Sequence, residues 1–247
     1  EKWGRYSIIG LPARTLLRVS GNEVIVEKDG KRIASETVSD PLAYLRRFRA
    51  NYTVPEIHGL PRFTGGLVGY FGYETVRYVE PRLGKMAKPD AIGAPDILLT
   101  VSDEVVVFDN LKGKLYVVIH VNPAIANAYD QANARLDELV ARLGEAIPRT
   151  TAPNRQKAVA EADFISGFTQ AGFEQAVTRS LEYIRAGDIM QVVLAQRLTI
   201  PFAAAPLDLY RALRTLNPSP YMYFMDLKDF HIVGSSPEIL VRLEDGR

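Results

Sequence analysis

The chain has 247 residues, 47% of them hydrophobic, with 30 basic against 29 acidic side chains and no cysteine. That is the balance of an ordinary globular protein with enough chain for a sizeable core. It excludes disulfides, thiolate metal centres and a cysteine nucleophile, and without a basic block nothing points to nucleic acid or an anionic membrane. The absence of cysteine fits the expected cytoplasmic setting, and no apolar run reaches membrane-spanning length.

In chain order, residues 5–9 read as a strand. Glu23–Lys28 and Lys31–Thr37 flank Asp29-Gly30, a strong hairpin signal. Asp40 is placed to cap a helix with Pro41 in its first turn and Leu42, Leu45 and Phe48 facing inward. Residues 67–71 form a glycine-bearing strand. The glycines of residues 65–72 lack the Gly-Lys-Ser/Thr ending of a phosphate loop, so close backbone packing is the better account of them. Residues 97–108 and 115–121 are expected to pair around Asp109-Asn110 and Lys112-Gly113. Asn122-Pro123 should open a helix with Ile125, Tyr129, Ala132, Leu136, Leu139, Val140 and Leu143 at helical spacing, ended by Gly144.

Residues 148–162 are rich in Pro, Thr, Ala and charge without periodicity, and read as a linker or mobile loop. This divides the chain into a β-rich region at 1–147 and a second region at 163–247. In the second, Thr169 caps a helix carrying Phe173, Val177, Leu181 and Ile184 to Gly187. Residues 187–200 follow as a strand, and Leu209, Leu213 and Leu216 mark a helix stopped by Asn217-Pro218. Residues 221–227 and 230–235 form a hairpin through Lys228-Asp229. Residues 239–243 form a last strand, with a turn signal directly after it. Strands and helices without a regular βαβ repeat predict an α+β fold.

Two places carry chemistry. On the strand after Gly187, one face holds Ile189, Gln191, Val193, Ala195 and Arg197, and the other is apolar apart from Gln196. A polar side chain on such a strand is either satisfied in the core or faces a cleft where a ligand pairs it. At residues 217–222, Pro218 and Pro220 stiffen the connection and leave carbonyls without neighbouring amides. The three histidines, His58, His120 and His231, lack metal-ligand spacing to one another.

GDIMQVVLAQR (residues 187–197), NPSPYMYF (217–224) and IVGSSPEILVR (232–242) occur in that order and at close spacing. Upstream stand WGRYSIIGLPAR (3–14) and GGLVGYFGYETVRYVE (65–80). Together these resemble the chorismate-utilising enzymes, and among them the anthranilate synthase large subunits (component I). The resemblance implies a layered fold with helices outside two antiparallel sheets packed at a steep angle. It implies a lyase that joins ammonia to chorismate and releases pyruvate, leaving anthranilate for tryptophan biosynthesis. Glutamine, through a separate amidotransferase subunit, would supply the ammonia. Tryptophan would be the feedback inhibitor, with Pro220, Tyr221 and Met222 matching the residues that bind it; the rest of that pocket lies ahead of residue 3 in the family. Mg²⁺ is the implied cofactor, held by glutamates of the family's C-terminal half, so no metal ligand is expected here. The chain would then be an N-terminal and central fragment, inactive alone, with residues 1–147 on the regulatory side and 163–247 the start of the catalytic domain.

Within the family, Gln191 and Met222 separate siblings. Isochorismate and salicylate synthases tend to carry Lys at the position of Gln191, where it can activate water. A glutamine amide cannot take a proton near neutral pH, so the attacking species is expected to be ammonia. Aminodeoxychorismate synthase, the nearest alternative, tends to have a small residue at the position of Met222. A non-catalytic amino-acid-binding regulatory module is the alternative from another class.

Overall fold

In a computed structural model of the chain, residues 4–86, 90–146 and 159–243 are described. Contacts divide it into two units, one of Glu1–Ala146 with Tyr210–Arg247 and one of Ile147–Leu209.

The alternating patterns of the first unit fold as antiparallel sheet. β1 (Tyr6–Gly10) is followed by β2 (Thr15–Ser20), β3 (Glu23–Lys28) and β4 (Lys31–Thr37), then by α1 (Pro41–Ala50) and β5 (Gly66–Phe71). After two 3₁₀ turns come β6 (Ile97–Ser102), β7 (Glu104–Asp109), β8 (Lys114–Ile119) and α2 (Ala128–Leu143). A five-stranded sheet has the order β4-β3-β2-β6-β5, and a three-stranded sheet the order β1-β7-β8. Every strand pair among the described residues is antiparallel. Strands and helices mixed in this way make the fold α+β.

The core of the larger sheet is one side of its central strands. Leu17, Val19, Val24, Val26, Ile97 and Leu99 are buried there with Leu45 of α1, and Leu42 and Phe48 of the same helix pack against them. Each such side chain withdrawn from water contributes roughly 1.5–3 kcal/mol. The helix starts where the sequence predicts, because the Asp40 carboxylate accepts a hydrogen bond from the Ala43 amide at 2.9 Å. Gly69 has a steric reason: a Cβ there would lie 1.9 Å from the Leu98 carbonyl oxygen of the neighbouring strand.

Four expectations are corrected. The run 97–108 is two strands, not one. Asp103 interrupts it, and the chain leaves the five-stranded sheet at β6 and enters the three-stranded sheet at β7. The corner is tied by the His120 amide to the Asp103 carbonyl at 2.8 Å and by the His120 ring to the Thr64 carbonyl at 2.9 Å. α2 begins at Ala128 rather than beside Pro123. Asn122 closes its own turn by accepting from the Ala124 amide, and Asn127 at φ +58° breaks the helix path. Residues 239–243 are not a strand, since no neighbouring strand offers them a ladder among the described residues.

The fourth correction falls in the second unit. There α3 (Gln170–Ala186) is capped by Thr169, whose hydroxyl accepts from the Gly172 amide at 3.1 Å, and it ends at Gly187 with φ +81°. The strand expected over 187–200 is reduced to β10 (Leu198–Thr199), paired with β9 (Ile165–Ser166). A strand needs a partner for its amides and carbonyls. Among the described residues only these two positions find one. The linker predicted at 148–162 lies mainly outside the described residues, which resume at 159.

Candidate functional site

The second site predicted from sequence sits where a helix hands over to a hairpin. α4 (Pro206–Leu216) ends with the Asn217 amide donating to the Leu213 carbonyl at 2.8 Å. Pro218 cannot continue the helix. Two strands follow, β11 (Tyr221–Asp226) and β12 (His231–Ser236), antiparallel, with Tyr221 opposite Ser236 and Met222 opposite Ser235.

Hydroxyls hold the entry to β11 in place. Ser235 donates from Oγ to the Asn217 carbonyl at 2.7 Å, and the buried Ser219 donates to the Tyr221 carbonyl at 3.3 Å. Residues 217–221 are therefore fixed by two prolines and two hydroxyl bonds. Strand alternation then sends the Tyr221 and Met222 side chains to opposite faces. Met222 and Phe224 share the half-buried face, where the Phe224 ring lies 6.2 Å from Tyr210 and 5.6 Å from His231. Tyr221 and Tyr223 lie on the more exposed face. A ligand on the Met222 face meets a thioether beside an aromatic cluster, and meets Tyr221 through its backbone.

The hairpin is also held at its far end. Leu227 is only 3% exposed, and its amide donates to the Phe230 carbonyl at 3.0 Å. The Arg18 guanidinium reaches Asp229 at 3.0 Å, and the Phe230 ring meets Tyr70 edge-on at 6.0 Å. The sequence places Asp229 and Phe230 at the hairpin tip but shows none of these contacts. Arg18 and Asp229 are 211 positions apart, and nothing local marks either as one of a pair.

Gln191 lies in the second unit, exposed, in the irregular stretch between α3 and β10. Its neighbour Gln196 is engaged, donating from Nε2 to the Ser166 hydroxyl at 2.7 Å. The two predicted sites thus belong to different units. Pro220, Tyr221 and Met222 are contiguous at one hairpin entry, and Gln191 is not among them.

A second ordered polar centre lies in the three-stranded sheet. Asp109, 2% exposed, receives two hydrogen bonds from the Arg5 guanidinium, at 3.2 and 3.0 Å, and others from the Leu111 and Lys112 amides. The Arg5 hydrogen bonds hold its carboxyl below the usual carboxylate range against the opposing effect of burial. This arrangement fixes the β7–β8 turn against the start of β1 and leaves the carboxylate engaged on all sides.

Magnesium needs a set of oxygen ligands converging on one point. Among the described residues no group of three or more His, Asp or Glu side chains could hold a metal ion. No helix among them is long and apolar enough to cross a membrane.

Comparison with known proteins gives these sites a context. The sequence profile of the chorismate binding enzymes matches residues 12–247. Anthranilate synthase component 1 of Pseudomonas putida is 56% identical over 246 residues, covering 99% of this chain and 50% of that protein. The component 1 proteins of Neisseria meningitidis serogroup B and Aquifex aeolicus are 47% and 42% identical, covering 99% and 100% of this chain and 49% and 50% of their own lengths. The crystal structure of anthranilate synthase component I from Streptococcus pneumoniae superposes with a TM-score of 0.71 at 29% identity, over 99% of this chain and 53% of that one. The chain spans about half the length of the relatives it matches.

Proposed function

The chain belongs to the chorismate binding enzymes, and from that membership we propose that it is part of an anthranilate synthase large subunit. One observation carries this reading: proteins named anthranilate synthase component 1 align along essentially its whole length. In the complete protein, ammonia adds to the chorismate ring as the ring hydroxyl departs, and elimination of pyruvate leaves anthranilate. The word component in the relatives' names supports a partner subunit, which we take to be a glutamine amidotransferase delivering ammonia. The setting we propose is the cytoplasm.

The residues of this chain have defined parts in that reaction. Gln191 can donate and accept hydrogen bonds to substrate but cannot act as a base, which suits an attacking group that is already a nucleophile. Mg²⁺, when bound, would stabilise charge on the departing oxygen, with its ligands expected outside the residues described. Pro220, Tyr221 and Met222 form one wall of a tryptophan site, with the Met222 thioether against the indole and backbone groups of 220 and 221 toward the amino acid. Residues 1–147 make up the regulatory side, and the catalytic domain begins near 163. Packing of the 221–236 hairpin in the same unit as the N-terminal sheets supports a regulatory site drawing on both.

The experiment is product analysis on the complete protein with chorismate, Mg²⁺ and ammonium. Anthranilate fluorescence should rise with one equivalent of pyruvate, and glutamine should replace ammonium only when the partner is added. Accumulation of aminodeoxychorismate instead would assign the sibling activity. Binding of tryptophan with no turnover would assign a regulatory module.

A further inference from the structure

We propose that the tip of the β11–β12 hairpin, docked on the five-stranded sheet through Arg18, Tyr70, Asp229 and Phe230, sets inhibitor sensitivity by positioning the wall at residues 220–222. This rests on the reading of that wall as a tryptophan site.

The five-stranded sheet has two faces, and they are covered differently. α1 covers the face carrying Leu17, Val19, Ile97 and Leu99. The opposite face carries Arg18, Leu98 and Tyr70 in one cross-strand row, since Leu98 of β6 pairs with Arg18 of β2 on one side and with Tyr70 of β5 on the other. Leu98 is fully buried yet is not part of the cluster under α1. The hairpin tip meets this second face at both flanks of Leu98: Asp229 at Arg18, and Phe230 at Tyr70. Arg18 is 16% exposed and lies 4.0 Å from Glu27 as well, so its guanidinium is confined between two carboxylates.

The hairpin depends on this docking. A two-stranded ribbon is marginal by itself in water, and among the described residues β11 and β12 have no third strand. It is held at the entry by Ser235 and Ser219 and at the tip by the row just described. Met222 stands four residues from Asp226, about 13 Å along the strand. With the tip released, the ribbon samples more orientations about its entry, and a ligand resting on the Met222 face must first select one of them. Its apparent affinity falls by the fraction of time the wall is correctly placed. Arg18, Tyr70, Asp229 and Phe230 are positioning residues in this sense; none needs to touch the ligand.

The test is a set of tryptophan inhibition curves on the complete protein. Asp229→Asn, Arg18→Ala and Phe230→Ala should each raise the inhibition midpoint, by about two- to fivefold for the polar variants, with turnover at saturating chorismate retained. Arg18→Ala combined with Asp229→Asn should raise the midpoint little beyond Arg18→Ala alone, a non-additivity that two independent losses of stability would not produce. Asp229 is exposed, so its asparagine variant is expected to fold. Unchanged midpoints in all three variants would overturn the proposal and leave the docking purely structural. If wild-type protein is indifferent to tryptophan, the reading of residues 220–222 fails and this inference with it; that outcome is told apart because it precedes any substitution.

Discussion

Met222 and Gln191 are single side chains with separable consequences. Met222→Thr shortens the half-buried face and adds a hydroxyl to it. Tryptophan binding to the complete protein should weaken by about 1–3 kcal/mol, roughly 5- to 150-fold, with turnover at saturating chorismate nearly unchanged. An inhibition curve reads this, and an unmoved midpoint would remove Met222 from the pocket. Gln191→Ala should lower turnover more than it lowers the melting temperature, because an exposed amide contributes little to folding. Gln191→Lys supplies a group that can serve as a base, so some hydroxylated product should accompany anthranilate; normal kinetics in both variants would make Gln191 a surface residue only. Asp109 answers to pH. Its folded-state carboxyl is held low by Arg5, so the stability it contributes is present above the unfolded value, about 3.9, and is lost as pH falls through the lower folded value. The gap in melting temperature between wild type and Asp109→Asn should therefore be widest near neutrality and narrow below about pH 4.

At the scale of elements, local chemistry was readable and distant partnership was not. The Asp29-Gly30 turn, the Asp40 and Thr169 caps and the Gly187 stop each act within a few residues, so the sequence displays them directly. The strand at 66–71 was readable too, and its glycine has a measurable cost of replacement. Gly69→Ala would drive a methyl into a backbone carbonyl, which cannot rotate away, and should destabilise by about 1–3 kcal/mol in a urea titration. The break at Asp103 was hidden because apolar β-formers continue on both sides of it, and one polar residue does not show that a chain is changing sheets. The run after Gly187 has the composition of a strand, but composition does not provide a partner, and among the described residues only Leu198 and Thr199 have one. Of the candidate site, the motif at 220–222 was visible and alternation gave its faces. The serine bonds that fix the entry and the row that receives the tip are tertiary facts with no local trace.

For the whole molecule, exposed apolar residues govern behaviour in solution. Met190 is 96% exposed and Leu240 99%, with Val193 and Val241 both at 82%; the apolar stripe of α3, Val177, Leu181 and Ile184, is also partly exposed. The 247-residue chain alone should bind a dye such as ANS and self-associate at moderate concentration. On the proposed reading, in which the Mg²⁺ ligands lie outside the residues described, it should form no anthranilate from chorismate, ammonium and Mg²⁺; fluorescence appearing from the purified chain would contradict this. The corner at Asp103 has a further consequence, in exchange rather than equilibrium. β6 and β7 are consecutive strands in two different sheets, each bonded on both edges, and Asp103 is the single residue between them. Amides of one sheet cannot open globally without pulling on an interior strand of the other. Deuterium uptake at residues 97–102 and 104–109 should therefore rise together with added denaturant, as one cooperative unit. The outer strands β4 and β8 should exchange earlier by fraying.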